Sequence, residues 1–286
     1  MIDLHTHSWC SDGTESPERV VEAAAAAGCS ALALTDHDTL AGLDEAGAKA
    51  DELGIELVPA CEISCAGPYG PLHLLAYFVP RDGATAAALV ARRAGRYERN
   101  ARLLAHLVAS GLPITKDEVD AVANGAIVGR PHFAEVLVRN GAAYSIPDAF
   151  DRYLSDEHLG VLAVAGTPVR EVLSALLDDD AVGSLAHPND LQRVGTLEAT
   201  LEVLVAAGLV GLECDYATYD PPARAALRAV AARRGLVATG GSDAHGTRTP
   251  DVRVGTGTGD LAVGDDVLRV LRSRRPSRHK AADSTP

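Results

Sequence analysis

Short apolar runs alternate with helical stretches along most of this chain, and that alternation restricts the fold more than any other feature. IDLH reads as a strand. SPERVVEAAAAAG then places Ser16 as N-cap, Pro17 at the first helical position, Glu18 and Glu22 early, and Gly28 as the stop. ALALT is a second strand, LAGLDEAGAKADELG a second helix, IELVPACEIS a third strand and LHLLAYFV a fourth. The pattern returns later as VREVLSALLDD, VGSLAH, LEATLEVLVAAG, LVGLECD, PPARAALRAVAARRG and LVATGGSDAH. Such alternation predicts parallel strands covered by helices, in an α/β barrel or a doubly wound sheet. Residues 81–167 break the rhythm: they read as mostly helical and form an insertion into a body made of 1–80 and 168–273. The polar, locally basic residues 274–286 read as a disordered tail.

At 286 residues the chain can bury a substantial core, and with aromatics at only 4% that core must be built from Ala, Val and Leu. A formal net charge of −13 argues against a surface that coats DNA, whose affinity would rest on summed phosphate contacts. It leaves room for a small basic site. The five cysteines contain no CxxC pair, which predicts reduced thiols in a cytoplasmic setting. No apolar run approaches the ~20 residues that span a bilayer. Asp3 and His5 stand where a signal peptide would have its basic start, so no membrane partner is expected.

The histidines fall on this map in a pattern. His5 and His7 share one face of an extended strand. His37 follows the second strand, Glu62 ends the third, His73 starts the fourth, His187 follows a later one, and Asp243 and His245 follow the last. In α/β barrels the strand ends are where active sites are built. With Asp12 and His132, nine residues (His5, His7, Asp12, His37, Glu62, His73, His132, Asp243, His245) offer the imidazole and carboxylate donors that suit divalent first-row metals. A catalytic zinc needs only three, so two or three ions would absorb the set. His106, His158 and His279 read as ordinary histidines. Arg92, Arg96 and Arg99 lie on one face of the insertion's first helix, either as a solvated face or as a stripe facing phosphate.

The segments DLHTHSWCSDG, ALALTDHDT, CEIS, GRPHFA, AHP and GGSDAH, in that order, resemble the PHP family, the polymerase and histidinol phosphatase phosphoesterases, over residues 3 to about 273. The resemblance implies a distorted (β/α)7 barrel with a helical insertion, and a site for three divalent ions. Manganese is the expected metal, with zinc and iron compatible. One ion would be held by His5, His7, Glu62 and Asp243. A second would be held by Glu62, His73 and His132, and a third by Asp12, His37 and His245. A water shared between two such ions would attack phosphorus.

Arg130 is expected to contact phosphate in a bidentate manner, and His187 to contact phosphate or protonate the leaving alkoxide. Arg96 and its neighbours would grip a second phosphate, with the insertion overhanging the barrel mouth. Asp36, Asp38 and Glu213 are candidates to accept the outer N–H of metal-bound histidines. The SDG form resembles the branch acting on nucleotides and RNA ends. The expected substrates are therefore nucleoside 3′,5′-bisphosphates or the 5′ ends of short RNA. Histidinol phosphate is the alternative within the class, and a non-catalytic metal-binding regulatory module the alternative outside it.

Overall fold

The computed structural model describes residues 1–159, 167–188, 191 and 195–276. Its sheet runs β1 (Ile2–Thr6), β2 (Ala31–Leu34), β3 (Glu56–Gly67), β4 (Gly70–Tyr77), β6 (Val182–Leu185), β7 (Gly211–Tyr216) and β8 (Val237–Gly241), each bonded to the next. The two-residue β5 (Thr167–Pro168) lies off this path, against β3. Past the end of β8, the Asp243 N–H donates to the His5 carbonyl (2.7 Å) and the His7 N–H to the Ala244 carbonyl (3.1 Å), which brings the last strand round to the first. The result is a distorted seven-stranded barrel.

One strand departs from the parallel pattern that alternation predicts. β4 is antiparallel to both β3 and β6. The connection is only Pro68 and Tyr69, between Gly67 and Gly70, which pair with each other; so short a link permits an antiparallel pair and no crossover. Gly70 takes φ 136°, a conformation that glycine alone adopts freely. The reversal is what positions His73: it lies in the first half of its strand, yet on the same rim as the C-terminal ends of the parallel strands.

Helices α1 (Pro17–Ala26), α2 (Leu43–Leu53), α8 (Val169–Asp178), α9 (Leu197–Ala206), α10 (Pro221–Arg234) and α11 (Asp265–Ser273) belong to the barrel. Ser16 caps α1 by accepting the Arg19 N–H, and Gly54 ends α2 in the left-handed conformation. Leu4, Leu34, Leu74, Leu185 and Leu212 are fully buried, so small aliphatic side chains fill the interior.

Between β4 and β5 come α3 (Ala84–Ala109), α4 (Lys116–Ala123), α5 (Arg130–Arg139), α6 (Ile146–Ala149), a π-helical turn (Phe150–Leu154) and α7 (Asp156–Leu159). These helices have a core of their own, including Leu103, Leu107, Val119, Phe133, Leu137 and Leu154. Truncating the buried Phe133 to alanine would cost about 3–5 kcal/mol. The Gly83 N-cap of α3 has no side chain to offer, so Asp179, just past α8, accepts the N–H groups of Ala84 (2.8 Å) and Thr85 (2.7 Å) and ties the insertion to the barrel. Residues 160–166 of the insertion and 277–286 of the expected tail, with His279, lie outside the described residues. No described helix is long and apolar enough to cross a membrane.

Candidate metal centre

His5, within β1, and His7, just past its end, point to one side and are fully buried. The His5 Nδ1–H donates to Glu213 Oε1 (2.9 Å), which leaves Nε2 3.1 Å from both Glu62 Oε2 and Asp243 Oδ1. His7 Nε2 lies 3.2 Å and 3.0 Å from the same two oxygens. Four side chains from β1, β3 and the turn after β8 thus aim donor atoms at one point.

On the other side of Glu62 a second group forms. Its Oε1 meets His73 Nδ1 at 2.8 Å and His187 Nε2 at 2.9 Å, while Oε2 also meets His37 Nδ1 at 3.3 Å. The two oxygens of one buried carboxylate therefore face different sets of imidazoles, the arrangement of a bridging ligand. The third group gathers at Asp12: His245 Nε2 at 3.3 Å, His37 Nε2 at 3.6 Å and His7 Nδ1 at 3.8 Å. The His245 Nδ1–H donates to the Asp243 carbonyl, so its Nε2 lone pair is free to face Asp12.

These contacts fit ions better than they fit a hydrogen-bonded network. Both ring nitrogens of His7, His37 Nδ1 and Asp243 Oδ1 are buried with no hydrogen-bond partner. Each such atom would cost about 1–3 kcal/mol if it stayed unsatisfied. Three groups of ligand atoms lie mutually within 4.8 Å: His5, His7, Glu62 and Asp243; His7, Asp12, His37 and His245; and His37, Glu62 and His73. Mixed imidazole and carboxylate donors of this kind suit manganese, iron or zinc.

The buried imidazoles and carboxylates of the cluster shift one another's protonation strongly. Burial opposes charge on His7, but the Asp243 and Glu62 carboxylates beside its ring carry it up to about 10. Burial likewise opposes charge on His187, and Glu62 carries it up to about 9. His37 is pushed down to about 3 by burial, against the pull of Glu62 and Asp12. Glu62 and Asp12, despite burial, are held well below the usual carboxylate range, first by His37. Asp38, His187 and Asp243 adopt positive φ (52°, 24° and 54°), backbone strain of a kind that clusters at functional sites.

Not every expected residue joins the cluster. His132 does not meet Glu62 and His73. It sits at the third position of α5, where its Nδ1 accepts the Gly129 N–H (2.9 Å). The neutral ring then carries its proton on Nε2 and has no lone pair left for an ion. His187, expected to touch phosphate or the leaving group, occupies the place beside Glu62 instead. Its signal was present: like Asp243, it directly follows a barrel strand.

Of the three supporting acids, only Glu213 contacts a clustered histidine, and its Oε2 also accepts the His187 N–H (2.6 Å). Asp36 instead accepts the Ser8 N–H and the Ser8 and Ser11 hydroxyls, holding the loop that carries Asp12. Asp38 pairs with Arg96 and lies 3.5 Å from Arg92. Tyr216, missed in the sequence, donates its hydroxyl to Asp243 Oδ2 (2.7 Å). A register shift between Glu213 and Asp215 breaks the alternation that would have predicted its face.

The cluster opens into a cavity of about 640 Å³ that Arg92, Arg96, Arg99 and Arg130 also line. The arginine stripe is therefore no solvated face: the Arg92 and Arg96 side chains are 14% and 15% exposed. Burial, then the Arg99 charge, lowers Arg96 to about 10. Arg130 donates to the Leu154 carbonyl (3.1 Å) with its guanidinium over the Phe150 ring.

A barrel rim with three imidazole–carboxylate groups that share one cavity with four arginines defines a metal-dependent phosphoesterase of the PHP type. The PHP domain profile matches residues 3–173, and the chain belongs to that family. It is 32% identical over 247 residues to a 3′,5′-nucleoside bisphosphate phosphatase of Chromobacterium violaceum, covering 85% of this chain and 87% of that one. It is 29% identical over 252 residues to the 5′-3′ exoribonuclease Rnm of Escherichia coli, covering 86% and 85%. A solved structure from Bifidobacterium adolescentis, described as a candidate metal-dependent phosphoesterase, superposes with a TM-score of 0.84 at 32% identity and 97% coverage of both chains.

Proposed function

We propose that this protein hydrolyses nucleoside 3′,5′-bisphosphates, short 5′-phosphorylated RNA, or both, at the 3′-phosphate ester of the first nucleotide. That it is a hydrolase of phosphoester bonds follows from its family. The choice of ester is carried by one observation: the cluster around Glu62 and the guanidinium groups of Arg92, Arg96, Arg99 and Arg130 line one cavity. A substrate with two phosphates offers one to the cluster and one to the guanidinium groups. The names of the relatives, a bisphosphate phosphatase and an exoribonuclease, agree with it. Histidinol phosphate has one phosphate and a cationic amine, which four guanidinium groups would repel.

In this reading His5, His7, Glu62 and Asp243 hold one ion, and Asp12, His37 and His245 another. His187 replaces His132 beside Glu62 and His73. Three divalent ions, manganese first among them, would acidify water and neutralise phosphoryl charge. Glu62 would contribute an oxygen to each of two such sites, and Glu213 fixes the His5 ring so that Nε2 faces inward. Arg130 and the α3 arginines orient the distal phosphate and offset its charge.

Adenosine 3′,5′-bisphosphate, AMP, histidinol phosphate and a short 5′-phosphorylated RNA, each offered with manganese, test the proposal. Release of the 3′-phosphate from the bisphosphate, well above release from AMP and histidinol phosphate, is the expected result. Preference for histidinol phosphate would overturn the substrate, and no release by metal-loaded protein would overturn the hydrolytic reading.

A further inference from the structure

Next to the first cavity lies a second, of about 870 Å³, walled by the loop after β1, by α4 and α5, and by residues 247–248. Ser11 and Ile127 line both cavities, Asp12 only the first and Gly13 only the second, so the loop carrying Asp12 borders both. Trp9, the single tryptophan of the chain, lines this second cavity and is 52% exposed. Tyr97 lines it as well and is 71% exposed. In a chain so poor in aromatics, two of the four exposed aromatic side chains among the described residues face one groove.

The Trp9 loop is held rigidly. The Trp9 N–H donates to the Glu15 carbonyl (2.8 Å), the Gly13 N–H donates to the Ser8 carbonyl (2.9 Å), and Asp36 clamps Ser8 and Ser11. His132 lines the same groove as a neutral ring with its proton on Nε2, burial and Arg248 lowering its pKa. A hydrogen-bond donor and two exposed aromatic side chains thus line one groove.

We infer that this groove is a second nucleotide subsite, which takes the base 3′ to the reacting nucleotide of a single-stranded oligoribonucleotide. The inference rests on the function proposed above. Water adds its oxygen to phosphorus while the P–O3′ bond breaks and O3′ takes a proton. The first nucleoside leaves as its 5′-monophosphate, and the remaining strand keeps the attacked phosphate. That strand must therefore continue from the metal cluster into space that the first nucleotide does not fill. Past Ser11, which lines both cavities, it enters the groove, where Trp9 and Tyr97 offer stacking faces that tolerate any base. A nucleoside bisphosphate ends at the cluster and has nothing to place there.

The experiment compares kcat/KM of the metal-loaded full chain on adenosine 3′,5′-bisphosphate and on 5′-phosphorylated tetra-adenylate, for the native protein, Trp9→Ala, Tyr97→Ala and Trp9→Phe. Either alanine variant should lose roughly five- to 150-fold on the oligonucleotide and nothing on the bisphosphate, with Trp9→Phe restoring most of the loss. Emission from the one tryptophan gives a readout apart from turnover. A phosphorothioate-linked tetra-adenylate should quench it saturably, and adenosine 3′,5′-bisphosphate should not. Equal losses on both substrates, no loss on either, or equal quenching by both ligands would overturn the subsite while leaving bisphosphate hydrolysis standing. Native protein that turns over neither substrate would overturn the proposed function and the subsite with it.

Discussion

Replacing Glu213 by glutamine probes the centre without touching any side chain that would bind an ion. The Glu213 carboxylate is fully buried and accepts two hydrogen bonds, from His5 Nδ1–H at 2.9 Å and from the His187 N–H at 2.6 Å. Glutamine keeps the volume but has one acceptor oxygen, so its NH2 must face one of these two donors. One charge-assisted hydrogen bond is lost, worth about 1.5–3 kcal/mol. In metal affinity that is about 10- to 150-fold, in line with the 10- to 100-fold typical when such a partner of a ligating histidine is removed. Because Glu213 holds one residue on each side of Glu62, the loss should weaken two ions. Chelator competition for manganese measures it, and thermal unfolding of the metal-free variant checks that the fold survives. Manganese affinity within twofold of the native protein at every site would refute the reasoning.

Other expectations follow from the same geometry. His187→Ala should lower the bound-metal stoichiometry by one, whereas His132→Ala should keep it; metal analysis of the two purified variants distinguishes them, and the opposite outcome would restore the GRPH histidine as a ligand. In metal-free protein, His7 and His187 titrate near 10 and 9, above the ordinary ~6.5. Their contribution to stability is complete below pH ~6.5 and is lost as pH rises through 9 and 10. The melting temperature should therefore fall over that range in chelator but not with manganese, whose binding needs neutral imidazoles; parallel curves would contradict this. Arg96→Ala leaves the buried Asp38 with Arg92 as its remaining guanidinium partner, and should cost about 3 kcal/mol in urea unfolding. Adding Asp38→Asn should recover part of that loss; a neutral single variant would show that the pair contributes nothing.

How much of this was legible in the sequence divides along physical lines. Strand and helix alternation exposed the barrel, because the strands are short runs buried on both faces and the helices between them carry one apolar stripe. His5, His7, Asp12, His37, Glu62, His73, Asp243 and His245 stood out because strand ends converge whatever the loops do. The antiparallel β4 was hidden by treating LHLLAYFV as one more parallel strand, although GPYG is too short a link for a crossover. His132 and His187 exchanged places because a motif says that a residue matters without saying which nitrogen is free. At the third helical position, a side chain can reach back to the N-cap N–H, and that local competitor took the His132 lone pair. Tyr216 carried no sequence signal, since a register shift decides its face.

The central claim is that side chains scattered from residue 5 to residue 245 form one centre for three cations. Anomalous diffraction from manganese-loaded crystals tests it directly. Three peaks are predicted: one among His5, His7, Glu62 and Asp243, one beside Glu62, His73 and His187, and one among Asp12, His37 and His245. Peaks elsewhere, or none at Glu62, would contradict it.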